Sequence, residues 1–246
     1  MDMQSEKRPP QRIGRRVFLG MLAAGAGALV FPRDLFSNWF NGKSPQPEAG
    51  EVIQETLDNK GPDYTVFVDK KDPIPGSSGR FRIYAAEGIP RFDTTTWRLT
   101  VDGMVENPIS LTYDEFRALP SEAQISDFKC VTGWQVKDIY WEGVRIRTLL
   151  EMVKPLPNAR FITFYSMDGE YTDSLSLMQA TYPEVTLAYK MGGQPLSARQ
   201  GAPVRVTVPR MFGYKGVKWL NRMELTEKEI LGYWEVRGYS KDAYRA

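Results

Sequence analysis

Val185-Thr186-Leu187-Ala188-Tyr189-Lys190-Met191-Gly192-Gly193 reads as an apolar extended run, strand over 185–189, that stops at a two-glycine turn. Downstream, residues 203–208 and 217–225 repeat the pattern and make the C-terminal half β-rich. Upstream, residues 97–101 alternate with period 2 and close on the turn pair Asp102-Gly103. Residues 161–165 read as a buried strand and 125–131 as extended. The helical signals are brief. Thr112-Tyr113-Asp114-Glu115 is a capping box opening a helix through Leu119 that Pro120 stops. Residues 148–153, ended by Pro155, and residues 175–180 are the other two. No repeat emerges, and the helices are too short and unevenly spaced for a doubly wound parallel sheet. The expected fold is α+β, with mixed β-sheets and short helices.

The chain has 246 residues, no histidine and one cysteine, Cys130. Without histidine there is no Ser-His-Asp or Cys-His pairing, no His-ligated haem and no ordinary zinc site. An enzyme of this composition needs a bound cofactor for hard chemistry. A formal charge of +2 is too small to imply nucleic acid. One domain with an N-terminal extension accounts for the length. Cys130 lies in Asp127-Phe128-Lys129-Cys130-Val131-Thr132-Gly133-Trp134, between a strand-like run and a turn. A lone thiol there is either a buried structural residue or a soft ligand.

Lys7, Arg8, Arg12, Arg15 and Arg16 precede an apolar Gly/Ala-rich run over residues 17–31. The run is short for a bilayer-spanning helix but suits a signal-peptide core. Gly14-Arg15-Arg16-Val17-Phe18-Leu19 resembles the twin-arginine signal, which exports proteins already folded around their cofactors. No Ala-x-Ala cleavage site follows. Phe31-Pro32 and Trp39-Phe40 also suit a membrane interface, so cleavage and retention as an anchor both fit. Residues 1–40 are thus a signal or anchor, 41–78 a Pro/Gly/Asp/Lys-rich linker, and 79–246 the folded domain with a short tail. Gly42-Lys43-Ser44 in the linker is not a phosphate loop, because Ser37 stands where the first glycine belongs.

Several motifs occur in order: Trp97-Arg98-Leu99 with Val101-Asp102-Gly103, then Cys130-Val131-Thr132-Gly133-Trp134, then Leu187 through Leu196. Gly201-Ala202-Pro203-Val204-Arg205 and Val208-Pro209 through Gly213-Tyr214-Lys215-Gly216-Val217-Lys218-Trp219-Leu220 follow. Together they resemble the catalytic domain of the sulfite oxidase family and of the related methionine sulfoxide reductase subunits. The resemblance implies a mixed α+β fold and one molybdenum–molybdopterin cofactor per chain. It makes Cys130 the metal ligand, a role chemistry supports because a thiolate suits a metal already held by dithiolene sulfurs. Arg205, Gly216, Val217 and Lys218 match cofactor contacts, and Lys215 joins them in a segment offering cations and backbone N–H groups to a phosphate. Ser166 matches a pterin contact, Gln200 a polar position often Asn or His, and Tyr171 an active-site tyrosine able to donate a hydrogen bond during oxygen-atom transfer. Glu170 and Asp173 read as turn residues.

Two departures limit the substrate. Tyr84-Ala85-Ala86 replaces an Arg-Asn-His stretch, and Trp134-Gln135-Val136-Lys137 replaces an arginine-rich one. Sulfite, a small dianion, requires such cations. Tyr84 becomes a candidate cofactor contact, and Arg82 and Lys137 are the nearby cations. The family's C-terminal immunoglobulin-like dimerisation domain and any haem domain have no counterpart. The expectation is therefore a monomeric, exported oxidoreductase, periplasmic or anchored on the extracytoplasmic side of the membrane. It moves an oxygen atom to or from a small substrate such as a sulfoxide. It exchanges electrons with a separate protein, such as a membrane haem protein or cytochrome. The alternative is an exported binding domain that keeps the fold without the metal.

Overall fold

The computed structural model describes residues 65–68, 74–79, 81–86 and 88–245. The signal-like segment 1–40 and most of the 41–78 linker lie outside them. Two five-stranded sheets and a ribbon make up the body. The first sheet contains β3 (Arg98–Gly103), β4 (Ile109–Thr112), β7 (Phe161–Ser166), β8 (Thr172–Ser176) and β12 (Leu220–Thr226), in the order β4-β3-β12-β7-β8. β12 runs parallel to β3 and antiparallel to β7, so the sheet is mixed, as expected. The second sheet contains β5 (Ser121–Lys129), β6 (Gln135–Arg145), β9 (Thr186–Met191), β10 (Gln194–Pro195) and β11 (Arg205–Thr207). All its pairings are antiparallel. β1 (Thr65–Val68) and β2 (Arg82–Ala85) form the ribbon.

The capping box forms as the sequence predicts. The Thr112 hydroxyl accepts from the Glu115 N–H at 3.1 Å, and a Glu115 carboxylate oxygen accepts from the Thr112 N–H at 2.8 Å. It opens α1 (Tyr113–Ala118), whose Phe116 is fully buried. α2 (Ile146–Val153) buries Ile146, Leu149, Leu150 and Val153, the spacing of one helical face. α3 is Leu177–Ala180, two residues shorter at its start than the sequence suggests. Leu175 and Ser176 instead close β8, and the Ser176 hydroxyl caps the helix by accepting from the Gln179 N–H at 3.2 Å.

β6, the longest strand, has no clean period-2 signal. Asp138 sits at φ 57° and its N–H donates to the Asp127 carboxylate, so the inward side shifts phase between Val136 and Ile139. β5 ends at Lys129, which leaves Cys130 as the first residue of the following turn instead of a strand residue. The folded body also begins before residue 79. β1 pairs with β2, and Ile74 is buried in a core with Ile83, Val136, Ile139 and Trp141. A larger core joins α1 and α2 to the first sheet through Leu99, Val101, Leu149, Ile162 and Leu225. Among the described residues no helix is long and apolar enough to cross a membrane.

Candidate functional site

The turn after β5 aims Cys130 into a cleft. The Cys130 N–H donates to the Trp134 carbonyl at 2.9 Å, and the Gly133 N–H returns to the Cys130 carbonyl at 3.1 Å. The Thr132 hydroxyl donates to the Cys130 Sγ at 3.2 Å. The cleft encloses roughly 870 Å3, counting its open mouth, and is walled by β2, this turn, the β7–β8 hairpin, the start of β11, the loop before β12 and the C-terminal segment.

Its walls are largely aromatic. Phe128 and Trp134 stack with ring centres 5.3 Å apart, Phe81 packs against both, and Tyr84 lies parallel to Trp134 at 6.5 Å. Trp219, Trp234 and Tyr239 line the same space. Two largely desolvated cations enter it, beside the exposed Arg82 at its edge. Arg205 is 2% exposed, gives one N–H to the Gln200 carbonyl at 2.9 Å, and keeps its buried Nε without a partner. Burial depresses it to about 10. Lys218 donates to the Tyr84 carbonyl at 2.5 Å, lies over the Trp219 ring, and packs its stem on Gly201. Burial first, and then the Arg205 charge, depress its ammonium to about 7. Among the described residues neither cation has a carboxylate within ion-pair reach. Two desolvated positive charges left side by side are unfavourable unless an anion joins them.

Tyr171 immediately precedes β8, the return strand of the hairpin. Its hydroxyl donates to the Tyr214 carbonyl at 2.6 Å and its ring stacks on Tyr233 at 5.4 Å. Burial and then the nearby Asp173 charge hold the phenol well above its ordinary range, so it stays protonated. Ser166, nearly buried, accepts from the Asp168 N–H at 3.3 Å. Asp168 lines the cleft, and its Oδ2 is buried without a partner.

Of the residues singled out from sequence, Cys130, Tyr171, Tyr84, Ser166, Arg205, Gly216 and Lys218 converge on this cleft. Gln200, Lys215 and Val217 do not line it. The Gln200 side chain caps its own turn by accepting from the Ser197 N–H at 2.9 Å, although its carbonyl anchors Arg205. Val217 is a core residue whose carbonyl accepts from the Val206 N–H. Lys215 is buried between Asp173 and Glu235, with its Nζ 2.5 Å from each, so its charge is already matched. The N–H groups of Lys215 and Gly216 close their own turn instead of standing open to an anion. Asp173 is a buried strand residue, not a turn residue, while Glu170 is exposed in the hairpin turn. Arg82 lines the cleft; Lys137 lies outside it, bridged to Ser78. Sequence reasoning gave no role to Asp168 or to the aromatic wall. The aromatic content was visible, but its convergence from separate segments was not.

Residues 86–234 match the family described as the oxidoreductase molybdopterin binding domain. The chain belongs to the molybdopterin-binding oxidoreductases. It is 33% identical over 147 residues to the uncharacterized oxidoreductase YuiH of Bacillus subtilis, covering 60% of this chain and 74% of that one. It is 33% identical over 157 residues to YedZ1 of Azospira oryzae, named a putative protein-methionine-sulfoxide reductase subunit. That match covers 64% of this chain and 59% of the relative. It is 29% identical over 171 residues to MsrP of Campylobacter jejuni, named a protein-methionine-sulfoxide reductase catalytic subunit, covering 63% and 57%. The matched region therefore spans under two thirds of the latter two relatives. The sulfane dehydrogenase SoxCD of Paracoccus pantotrophus has the same fold, with a TM-score of 0.61 at 17% identity over 85% of this chain and 56% of that one. This is the sulfite-oxidase-type fold, and the oxidoreductase is an enzyme of that family.

The residues fit the group the family binds. Arg205 and Lys218 offer two unmatched charges to an anionic end. Asp168 Oδ2, Arg205 Nε and Trp134 Nε1 are buried polar atoms awaiting partners, as a polar heteroaromatic ligand requires. Gly213 lets the loop lie against the Phe128 ring, where an added Cβ would come within 2.0 Å. Among the described residues no three His, Cys, Asp or Glu side chains cluster to hold a metal by themselves. Cys130, the chain's one thiol, lines the cleft.

Proposed function

We propose that this oxidoreductase carries one molybdenum–molybdopterin cofactor in the cleft, with Cys130 as the protein's sulfur ligand, and reduces a small uncharged sulfoxide. The reading rests on one observation: Cys130 lines the same cleft as Arg205 and Lys218, neither of which has a carboxylate within ion-pair reach among the described residues. When bound, the group supplies two-electron oxygen-atom transfer. The net reaction takes a sulfoxide, two electrons and two protons to a thioether and water.

The chain's residues bind, orient and supply protons. Arg205 and Lys218 hold the cofactor's anionic end, while Phe81, Phe128 and Trp134 offer flat apolar surface and exclude water. Tyr171, kept protonated by burial, is the hydrogen-bond donor for the oxygen being removed; it must release the Tyr214 carbonyl to act. An aromatic wall suits a thioether-like substrate better than a sulfite dianion, and the names of two relatives point to the same substrate class. Their naming as subunits supports an external electron donor, for which a membrane haem protein or cytochrome is the natural type. The basic, apolar N-terminus supports export in a folded state to the periplasm or the outer face of the membrane.

Full-length protein expressed in a cofactor-competent host, with its N-terminus intact, should co-purify with molybdenum and a fluorescent pterin. Loaded protein should reduce methionine sulfoxide or simple S-oxides with an artificial donor and leave sulfite unoxidised. Loaded protein that oxidises sulfite and ignores every sulfoxide would reverse the substrate assignment. Protein devoid of both metal and pterin would reject the cofactor itself.

A further inference from the structure

Lys215 sits between Tyr214 and the cleft-lining Gly216, yet it serves neither cleft nor solvent. It is 1% exposed, with its Nζ 2.5 Å from Asp173 Oδ1 and 2.5 Å from Glu235 Oε1. Both carboxylates are buried and fixed by backbone donors: the Ser174 N–H to Asp173 at 2.7 Å and the Gly232 N–H to Glu235 at 2.8 Å. Asp173 Oδ2 is buried without a partner. One cation between two buried carboxylates leaves an excess negative charge unless a proton joins the group.

Each member belongs to a different wall of the cleft. Asp173 is in β8, two residues beyond Tyr171. Lys215 closes the turn Gly213–Lys215 whose Tyr214 carbonyl receives the Tyr171 hydroxyl. Glu235 begins the turn Glu235–Arg237, flanked by the cleft-lining Trp234 and Tyr239. Secondary contacts join the same three segments: the Tyr233 N–H donates to the Thr172 carbonyl at 2.8 Å, and Tyr239 packs edge-on to Tyr214 at 5.4 Å.

We propose that Asp173, Lys215 and Glu235 are positioning residues, a buried clasp that fixes Tyr171 and seats residues 232–239 as the closing wall over the cofactor. This rests on the cleft holding the cofactor as proposed above. The clasp responds to pH. Burial first lifts Asp173 to about 7, with Glu235 adding to the rise and Lys215 opposing it. The other titratable groups bearing on the cluster are Tyr171, Tyr214, Lys241 acting on Glu235 and, through Tyr171, Asp168. Below that point the protonated group is neutral. Above it the uncompensated charge is relieved by admitting water, which loosens residues 232–239.

Hydrogen exchange of residues 232–239, each rate divided by that of an unstructured peptide at the same pH, and release of pterin from the holoprotein, followed at about pH 6 and about pH 8, test the clasp. Both rates should rise several-fold at the higher pH. Asp173→Asn, which mimics the protonated carboxyl, should abolish the pH dependence of the normalised exchange, while the part of pterin binding that depends on Lys218 remains; Lys215→Met should raise both rates at neutral pH by about tenfold. Normalised wild-type exchange independent of pH, or a normalised pH dependence unchanged in Asp173→Asn, would overturn the proposal. If Lys215→Met fails to fold, the Asp173→Asn comparison decides alone. The exchange measurement does not need the cofactor, so a protein lacking pterin would reject the cofactor reading and still test the clasp.

Discussion

The Thr132 hydroxyl lies 3.2 Å from the Cys130 sulfur, donating to it from within the turn that aims both residues at the cleft. A donor on a thiolate ligand draws charge from the sulfur and raises the potential of the metal it binds. Thr132→Val keeps the shape and removes the donor. The potential of the loaded enzyme should fall by on the order of tens of millivolts, read by redox titration. An unchanged potential would mean that the hydroxyl does not influence the metal.

Lys218 gives cofactor binding a pH dependence. Its ammonium is depressed to about 7 in the empty cleft by burial and by Arg205. An anion bound beside it lifts that value again, so binding takes up a proton. Affinity is then constant below about 7 and falls as the pH rises above it. Equilibrium binding of molybdopterin to apoprotein across this range should show the decline, and Lys218→Met should bind weakly at every pH without it. Affinity rising with pH would contradict the assignment.

Gly143 in β6 is where β9 crosses closest. A Cβ there would meet the Leu187 carbonyl oxygen at 2.2 Å and the Ala188 Cα at 2.7 Å, backbone atoms that cannot swing aside. Gly143→Ala should destabilise the protein by about 3 kcal/mol, the upper end of the usual cost of overpacking, in urea unfolding. Gly213→Ala meets the Phe128 ring at 2.0 Å instead and should impair cofactor loading more than stability. Reversal of that order would place Gly213 outside the cofactor wall.

Local chemistry was legible in the sequence and long-range partnership was not. The Thr112–Glu115 capping box announces α1 because donors and acceptors lie within one turn. β6 stayed hidden because the Asp138 bulge breaks the alternation on which strand reading depends. Cys130, Arg205 and Lys218 were found as members of ordered motifs, and all three meet at the cleft. Lys215 was misplaced for a physical reason. A cation in a glycine-rich loop looks the same whether its charge meets a phosphate or two carboxylates 42 residues before it and 20 after it in sequence. Burial of Asp173 in β8 was likewise invisible from a neighbourhood of turn-forming residues.

The most direct measurement of the central claim is molybdenum K-edge X-ray absorption of the loaded wild type beside loaded Cys130→Ser protein. The wild type should show a sulfur shell containing one more scatterer than the variant. Identical sulfur shells in the two proteins would show that the Cys130 sulfur is not bonded to the metal.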